Sequence, residues 1–156
     1  MIKTILLSHG RLAEELVAAA RTIAGDLPDI EALALDWREG LDDAVARLGQ
    51  ALAAHPEANG FLLLTDLFGS TPTNAALRFL AAGKVEVVTG VNLPMVVRLG
   101  CARDQATDVA SLARSLREKG QRSICLASDE LAARYPPCSA ETVAFAVPAG
   151  IGARSR

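Results

Sequence analysis

Short apolar runs alternate with amphipathic stretches along this chain, and that alternation limits what it can fold into. Ile2–Leu7 reads as a strand that ends in Ser8-His9-Gly10. Leu12–Ala24 carries Leu12, Leu16, Val17, Ala20 and Ile23 on one helical face and stops at Gly25. The same reading gives strands at Ile30–Leu35, Phe61–Thr65 and Val85–Thr89. It gives helices at Leu41–Ala54, Pro72–Ala82 and Asp104–Lys119, with Leu93–Leu99 opening another. Phe61–Thr65 is apolar almost throughout, as a central strand would be. Pro72 suits a first helical turn, with Ser70 or Thr71 before it as the cap. Ser123–Ala127 reads as a short fifth strand. Beyond it the pattern weakens: Tyr135-Pro136-Pro137 breaks any helix, Thr142–Val147 suits one more strand, and the stretch from Ala149 to Arg156 reads as frayed.

Strand alternating with helix predicts an α/β fold: a doubly wound, mainly parallel sheet of about five strands with helices on both faces. Such sheets bind ligands beyond the carboxyl ends of their strands, where the strand order reverses. The residues at those ends are Ser8-His9-Gly10, Asp36-Trp37-Arg38, Thr65 to Gly69 and Gly90-Val91-Asn92. A strand order beginning 2-1-3 makes His9 and Asp66 neighbours across the crevice.

Bulk properties narrow the function. The chain has 156 residues, so one main domain is expected, placed at 1–128, with a tail of unknown role at 129–156. With 51% apolar but only 4% aromatic residues, the core must be filled by Leu, Val, Ile and Ala. A formal charge of -2 with scattered Lys and Arg argues against a nucleic-acid or anionic-membrane surface. Runs such as Phe61-Leu62-Leu63-Leu64 are too short to span a bilayer, and the N-terminus lacks the layout of a signal peptide, so a cytoplasmic protein is expected. Cys101, Cys125 and Cys138 are far apart, match no zinc spacing and read as small buried hydrophobes.

The chemistry concentrates on His9. His55 ends a helix beside Pro56 and reads as a solvated terminus. His9 instead follows a buried strand directly, and Gly10 lets the chain turn and leaves room for a ligand. On position alone His9 serves two readings, a strand-end histidine bonded to backbone or a nucleophile. An imidazole offers a free nucleophilic nitrogen near neutral pH. A carboxylate on its other nitrogen fixes the tautomer and stabilises the charge that develops during attack. Asp66 is the candidate for that role and for capping the turn that follows it. Gly69, Ser70 and Thr71 then lead into a helix and form a candidate phosphate cradle. No P-loop, dinucleotide fingerprint or GxSxG elbow is present, so no nucleotide or other cofactor is implied, and no metal set is assigned. The phosphate is then expected to arrive from another protein.

Three blocks carry a resemblance. Ile5-Leu6-Leu7-Ser8-His9-Gly10, then Leu64 through Ala76 (Leu-Thr-Asp-Leu-Phe-Gly-Ser-Thr-Pro-Thr-Asn-Ala-Ala), then Val87 through Met95 (Val-Val-Thr-Gly-Val-Asn-Leu-Pro-Met) resemble the mannose-family IIA component of the phosphoenolpyruvate-dependent sugar phosphotransferase system (PTS). The resemblance covers roughly residues 1–127. It implies a cytoplasmic homodimer that exchanges a C-terminal strand, here Ser123–Ala127. It implies that His9 takes a phosphoryl group from the carrier HPr and passes it to a separate IIB component, for sugar uptake or for regulation. By the same match Asp66 bonds the unphosphorylated ring nitrogen of His9, and Ser70, Thr71 and adjacent amides line the phosphate site. Phe68, Asn92 and Pro94 would form its walls. The usual family text, Asp-Leu-Phe-Gly-Gly-Ser-Pro-Phe-Asn, differs at three positions: Ser70 narrows the backbone freedom of the second Gly, Thr71 keeps the hydroxyl of Ser, and Thr73 replaces Phe and removes apolar surface expected near the site.

Two other readings place a histidine at the end of the first strand of an α/β domain. A small tetrapyrrole chelatase would need further ligands facing His9. A dihydroxyacetone kinase phosphotransfer subunit would share the histidine but not the Gly90-Val91-Asn92-Leu93-Pro94 block.

Overall fold

The structure, a computed structural model, describes residues 1–102 and 106–134. Strands β1 (Ile2–His9), β2 (Ile30–Leu35), β3 (Gly60–Thr65) and β4 (Val85–Thr89) form one sheet in the order β2-β1-β3-β4. Every strand pair is parallel, with Leu7 opposite Thr65 on one side of β1 and His9 opposite Leu35 on the other. The order reverses between β1 and β3, which is where the ligand rule directs attention.

Strand alternation divides the core into two layers. Leu6, Leu62 and Leu64 pack on one face against α1 (Leu12–Ala24), α4 (Leu93–Ala102) and α5 (Val109–Arg122), through residues such as Val17, Val96, Leu99, Leu112 and Leu116. Ile5, Leu7 and Leu63 pack on the other against α2 (Leu41–Ala53) and α3 (Thr71–Leu77), through Ala44, Leu48, Ala75 and Ala76. Ile5, Leu6, Leu7, Leu62, Leu63 and Leu64 are all fully buried, so β1 and β3 form the centre, as the apolar run 61–65 predicts.

Several boundaries differ from the sequence reading. Helix α3 stops at Leu77 rather than Ala82: Phe79 and Leu80 make tighter i to i−3 bonds, and Ala81 then bridges to Val85. Helix α5 starts at Val109 because Asp108 caps it, accepting from the Ser111 amide at 2.7 Å while Ser111 Oγ accepts from the Asp108 amide. The strand expected at Ser123–Ala127 is absent. Ser123 ends α5, and a further helix, α6 (Ala127–Arg134), begins at the last residue of that segment. A strand exists only by bonding to a neighbour, and the sheet of the described residues has four strands rather than about five.

The chain divides into two units, Met1–Ile124 and Cys125–Arg156. The Tyr135-Pro136-Pro137 break, the strand read at Thr142–Val147, the fraying read from Ala149 and Cys138 lie outside the described residues. Cys101 and Cys125 are exposed thiols, not buried hydrophobes: Cys101 falls on the outer side of α4, and Cys125 lies between helices. Among the described residues no helix is long and apolar enough to cross a membrane.

Candidate active site

Parallel pairing brings the ends of β1, β2 and β3 to one edge of the sheet, and the candidate site is built on them. Ser8 and His9 are adjacent in β1 and point to opposite faces. Ser8 is fully buried, and its Oγ accepts from the Ala13 amide at 2.7 Å, capping the first turn of α1. His9 turns the other way, with its side chain 22% exposed.

Asp66, one residue past β3, meets His9 twice. Its Oδ2 accepts from the His9 amide at 2.8 Å and contacts His9 Nδ1 at 2.8 Å. Its Oδ1 accepts from the Leu67 amide at 2.7 Å and from Ser70 Oγ at 3.3 Å. Partial burial works against charge on this carboxyl. The bonds from the His9 amide, the His9 ring and the Leu67 amide outweigh it and hold Asp66 below the ordinary carboxylate range. An ionised carboxylate can only accept, so the proton of the pair sits on Nδ1. Nε2 of the neutral ring then carries the free lone pair.

Trp37, two residues past β2, lies against the His9 ring with centroids 4.9 Å apart and planes 14° from parallel. Gly10 makes this possible. At φ +52° it turns the chain after His9, and a Cβ there would come within 3.1 Å of Trp37 Nε1. The sequence reading placed Trp37 at this edge but gave it no part. The available signal was a lone tryptophan at a strand end, where core packing does not require one.

The loop after Asp66 folds on itself. Ser70 Oγ donates to the Leu67 carbonyl at 2.6 Å. Its backbone, at φ -79° and ψ 167°, is ordinary extended chain, so Ser in place of the family's second Gly brings no strain. Thr71 opens α3, and its amide, like the first amides of any helix, has no partner within the helix. Thr73 is buried, bonded to Thr65 Oγ1 at 2.8 Å and donating to the Leu67 carbonyl at 2.7 Å. It therefore fastens the loop from inside. Leu67 and Phe68 project instead, at 65% and 73% exposure.

Asn92 and Pro94 have other engagements. Asn92 Oδ1 accepts from the Met95 amide at 3.3 Å and caps α4, while Nδ2 donates to the Gly120 carbonyl of α5 at 3.3 Å. Gly120 allows this approach, since a Cβ there would overlap Met95. Pro94 lines an apolar groove with Ile23, Leu93 and Val97. His55 is not a solvated terminus: Nε2 contacts Glu31 at 3.0 Å and Nδ1 contacts Glu57 at 3.2 Å.

A cavity of about 440 Å³ runs along the outer side of β4, between Glu86 and Val88 and the α5 residues Ala113 and Arg117. Neither His9 nor Asp66 lines it.

Residues 3–116 match the EIIA-man family, described as the PTS system fructose IIA component. The chain is 30% identical over 132 residues to the PTS system fructose-specific EIIA component of Bacillus subtilis (strain 168), covering 84% of this chain and 90% of that one. It is 28% identical over 147 residues to the PTS system mannose-specific EIIAB component of Escherichia coli (strain K12); this match covers 92% of the chain but spans only 46% of that relative. The structure resembles the mannose/sorbose-specific IIA subunit from Enterococcus faecalis with a TM-score of 0.72 at 33% identity, over 80% of this chain and 92% of that one. The EIIA component from Streptococcus agalactiae, at 23% identity and a TM-score of 0.75 over 83% of this chain and 99% of that one, shares the fold. Neither the chelatase nor the kinase-subunit reading finds support among these relatives. The parallel sheet, the strand-end histidine and these matches agree, and the chain belongs to the EIIA-man family of PTS IIA components.

Proposed function

We propose that this IIA component is a phosphohistidine carrier in which His9 Nε2 accepts a phosphoryl group from the phosphohistidine of HPr and passes it to a IIB component. The observation that carries the reading is the 2.8 Å contact between Asp66 Oδ2 and His9 Nδ1, which leaves Nε2 as the nucleophile. On loading, the Nε2 lone pair forms the new P–N bond while the donor's P–N bond breaks. The proton on Nδ1 stays between ring and carboxylate, and Asp66 balances the positive charge of the ring. On discharge the P–Nε2 bond breaks and its electron pair returns to Nε2.

The amides of Gly69 and Thr71 and the hydroxyl of Thr71 receive the phosphoryl oxygens, and the Ser70 hydroxyl joins them by turning away from the Leu67 carbonyl it bonds in the unloaded chain. Ser70 lies beside the carboxylate that holds His9, which supports this placement. Exposed Leu67 and Phe68 give HPr and IIB an apolar contact beside the polar site. Phe68 forms one wall of the site, and Asn92 and Pro94, at the start of α4, form the opposite wall, Asn92 by fixing the start of that helix. The carrier works in the cytoplasm as a homodimer. The half-buried β4, with a cavity on its outer side, supports a second copy adding a strand there from its segment around Ser123–Ala127.

A load-and-chase assay tests this. Phosphoenolpyruvate, Enzyme I and HPr should load the chain with an acid-labile phosphoryl group, and a purified mannose-family IIB protein should remove it. Loading with no discharge to any IIB protein would leave the relay without its second half.

A further inference from the structure

We propose that Trp37 is a positioning residue for His9, holding the imidazole plane and lying against the ring while it is positively charged. The inference rests on the reading of His9 as the phosphoryl acceptor. Asp66 grips the ring by one edge only, through Nδ1. One hydrogen bond leaves the ring free to swing about the N···O line. The indole, stacked at 4.9 Å and 14°, removes that freedom and fixes where the Nε2 lone pair points.

The arrangement is built into the chain. Leu35 is the ladder partner of His9, so the end of β2 delivers Trp37 to the ring two residues later. Gly10 withholds the side chain that would crowd the indole. Trp37 is 76% exposed and belongs to neither core layer, so core packing does not explain its position.

Charge gives the stack its second effect. Phosphorylated on Nε2 with Nδ1 still protonated toward Asp66, the ring is a cation. An indole face attracts a cation, whereas it gains little from a neutral ring. Trp37 therefore favours the loaded state and the approach to it over the unloaded one.

Single-turnover loading of the full chain, Trp37→Ala and Trp37→Phe by phospho-HPr tests this. Trp37→Ala should lower the saturating rate about threefold to tenfold while the half-saturating donor concentration stays within about twofold, and Trp37→Phe should recover most of the rate. The same slowing should occur with phosphoramidate, a donor too small to dock on the indole. Trp37 is the only tryptophan, so wild-type emission should change on loading and return on discharge. A saturating rate for Trp37→Ala within about twofold of wild type, or a loss confined to half-saturation, would overturn the proposal; the second outcome would make Trp37 a docking residue. A wild-type chain that loads from neither donor overturns the phosphohistidine reading as well, so the two failures are told apart by whether wild type loads.

Discussion

Asp66 Oδ2 accepts from both the backbone amide and the ring of His9, each at 2.8 Å. One oxygen thus ties the end of β1 and its side chain to the end of β3. The carboxylate sets the tautomer of the ring and also stops His9 from moving away from it. The other oxygen, held by the Leu67 amide, anchors the loop that follows.

Replacing Asp66 with Asn should slow phosphoryl transfer by about 10² fold, because a neutral amide neither fixes the proton on Nδ1 nor balances the cationic ring. Stopped-flow loading by phospho-HPr measures this. An unchanged rate would reduce Asp66 to a cap of its own turn.

Asp66 also links stability to pH. Its folded carboxyl lies below the ordinary value of 3.8, so the unfolded chain binds that proton more readily. Its contribution to stability is present above about pH 3.8 and is lost as the pH falls through the lower folded value. Urea midpoints across acid pH should therefore drop less steeply in Asp66→Asn than in wild type.

On the proposed function, the same contact directs the phosphoryl group to Nε2. Phosphorus and nitrogen NMR of the loaded chain should show the Nε2 isomer alone. The Nδ1 isomer would mean that the Asp66 bond breaks during transfer.

The buried Thr65–Thr73 pair makes a separate prediction about the loop. Thr73→Val leaves Thr65 Oγ1 without its partner and removes one of the bonds to the Leu67 carbonyl, and should cost about 1–3 kcal/mol. Thr65→Val should cost less, since Thr73 keeps its bond to Leu67. Denaturant unfolding of both variants and the double variant checks the order.

Much of this site was legible because parallel sheets gather strand ends. The apolar runs at 2–7 and 61–65 identify β1 and β3, and their pairing puts His9 beside Asp66. Tertiary partners hid the rest. Nothing local tells that Trp37 turns onto the ring, or that His55 finds Glu31, 24 residues earlier in the chain. Thr73 reads as a lost aromatic until its hydroxyl is seen bonded inside the loop. Segment 123–127 has β-forming residues, but among the described residues no strand bonds to it and α6 begins at Ala127.

On the proposed function, His9 carries the phosphoryl group. The most direct measurement is intact-mass analysis and site mapping after incubation with phosphoenolpyruvate, Enzyme I and HPr, for wild type, His9→Ala and His55→Ala. A single phosphoryl group on wild type and His55→Ala, absent from a folded His9→Ala, is the predicted result. Phosphate retained by His9→Ala, or none taken up by wild type, would contradict it.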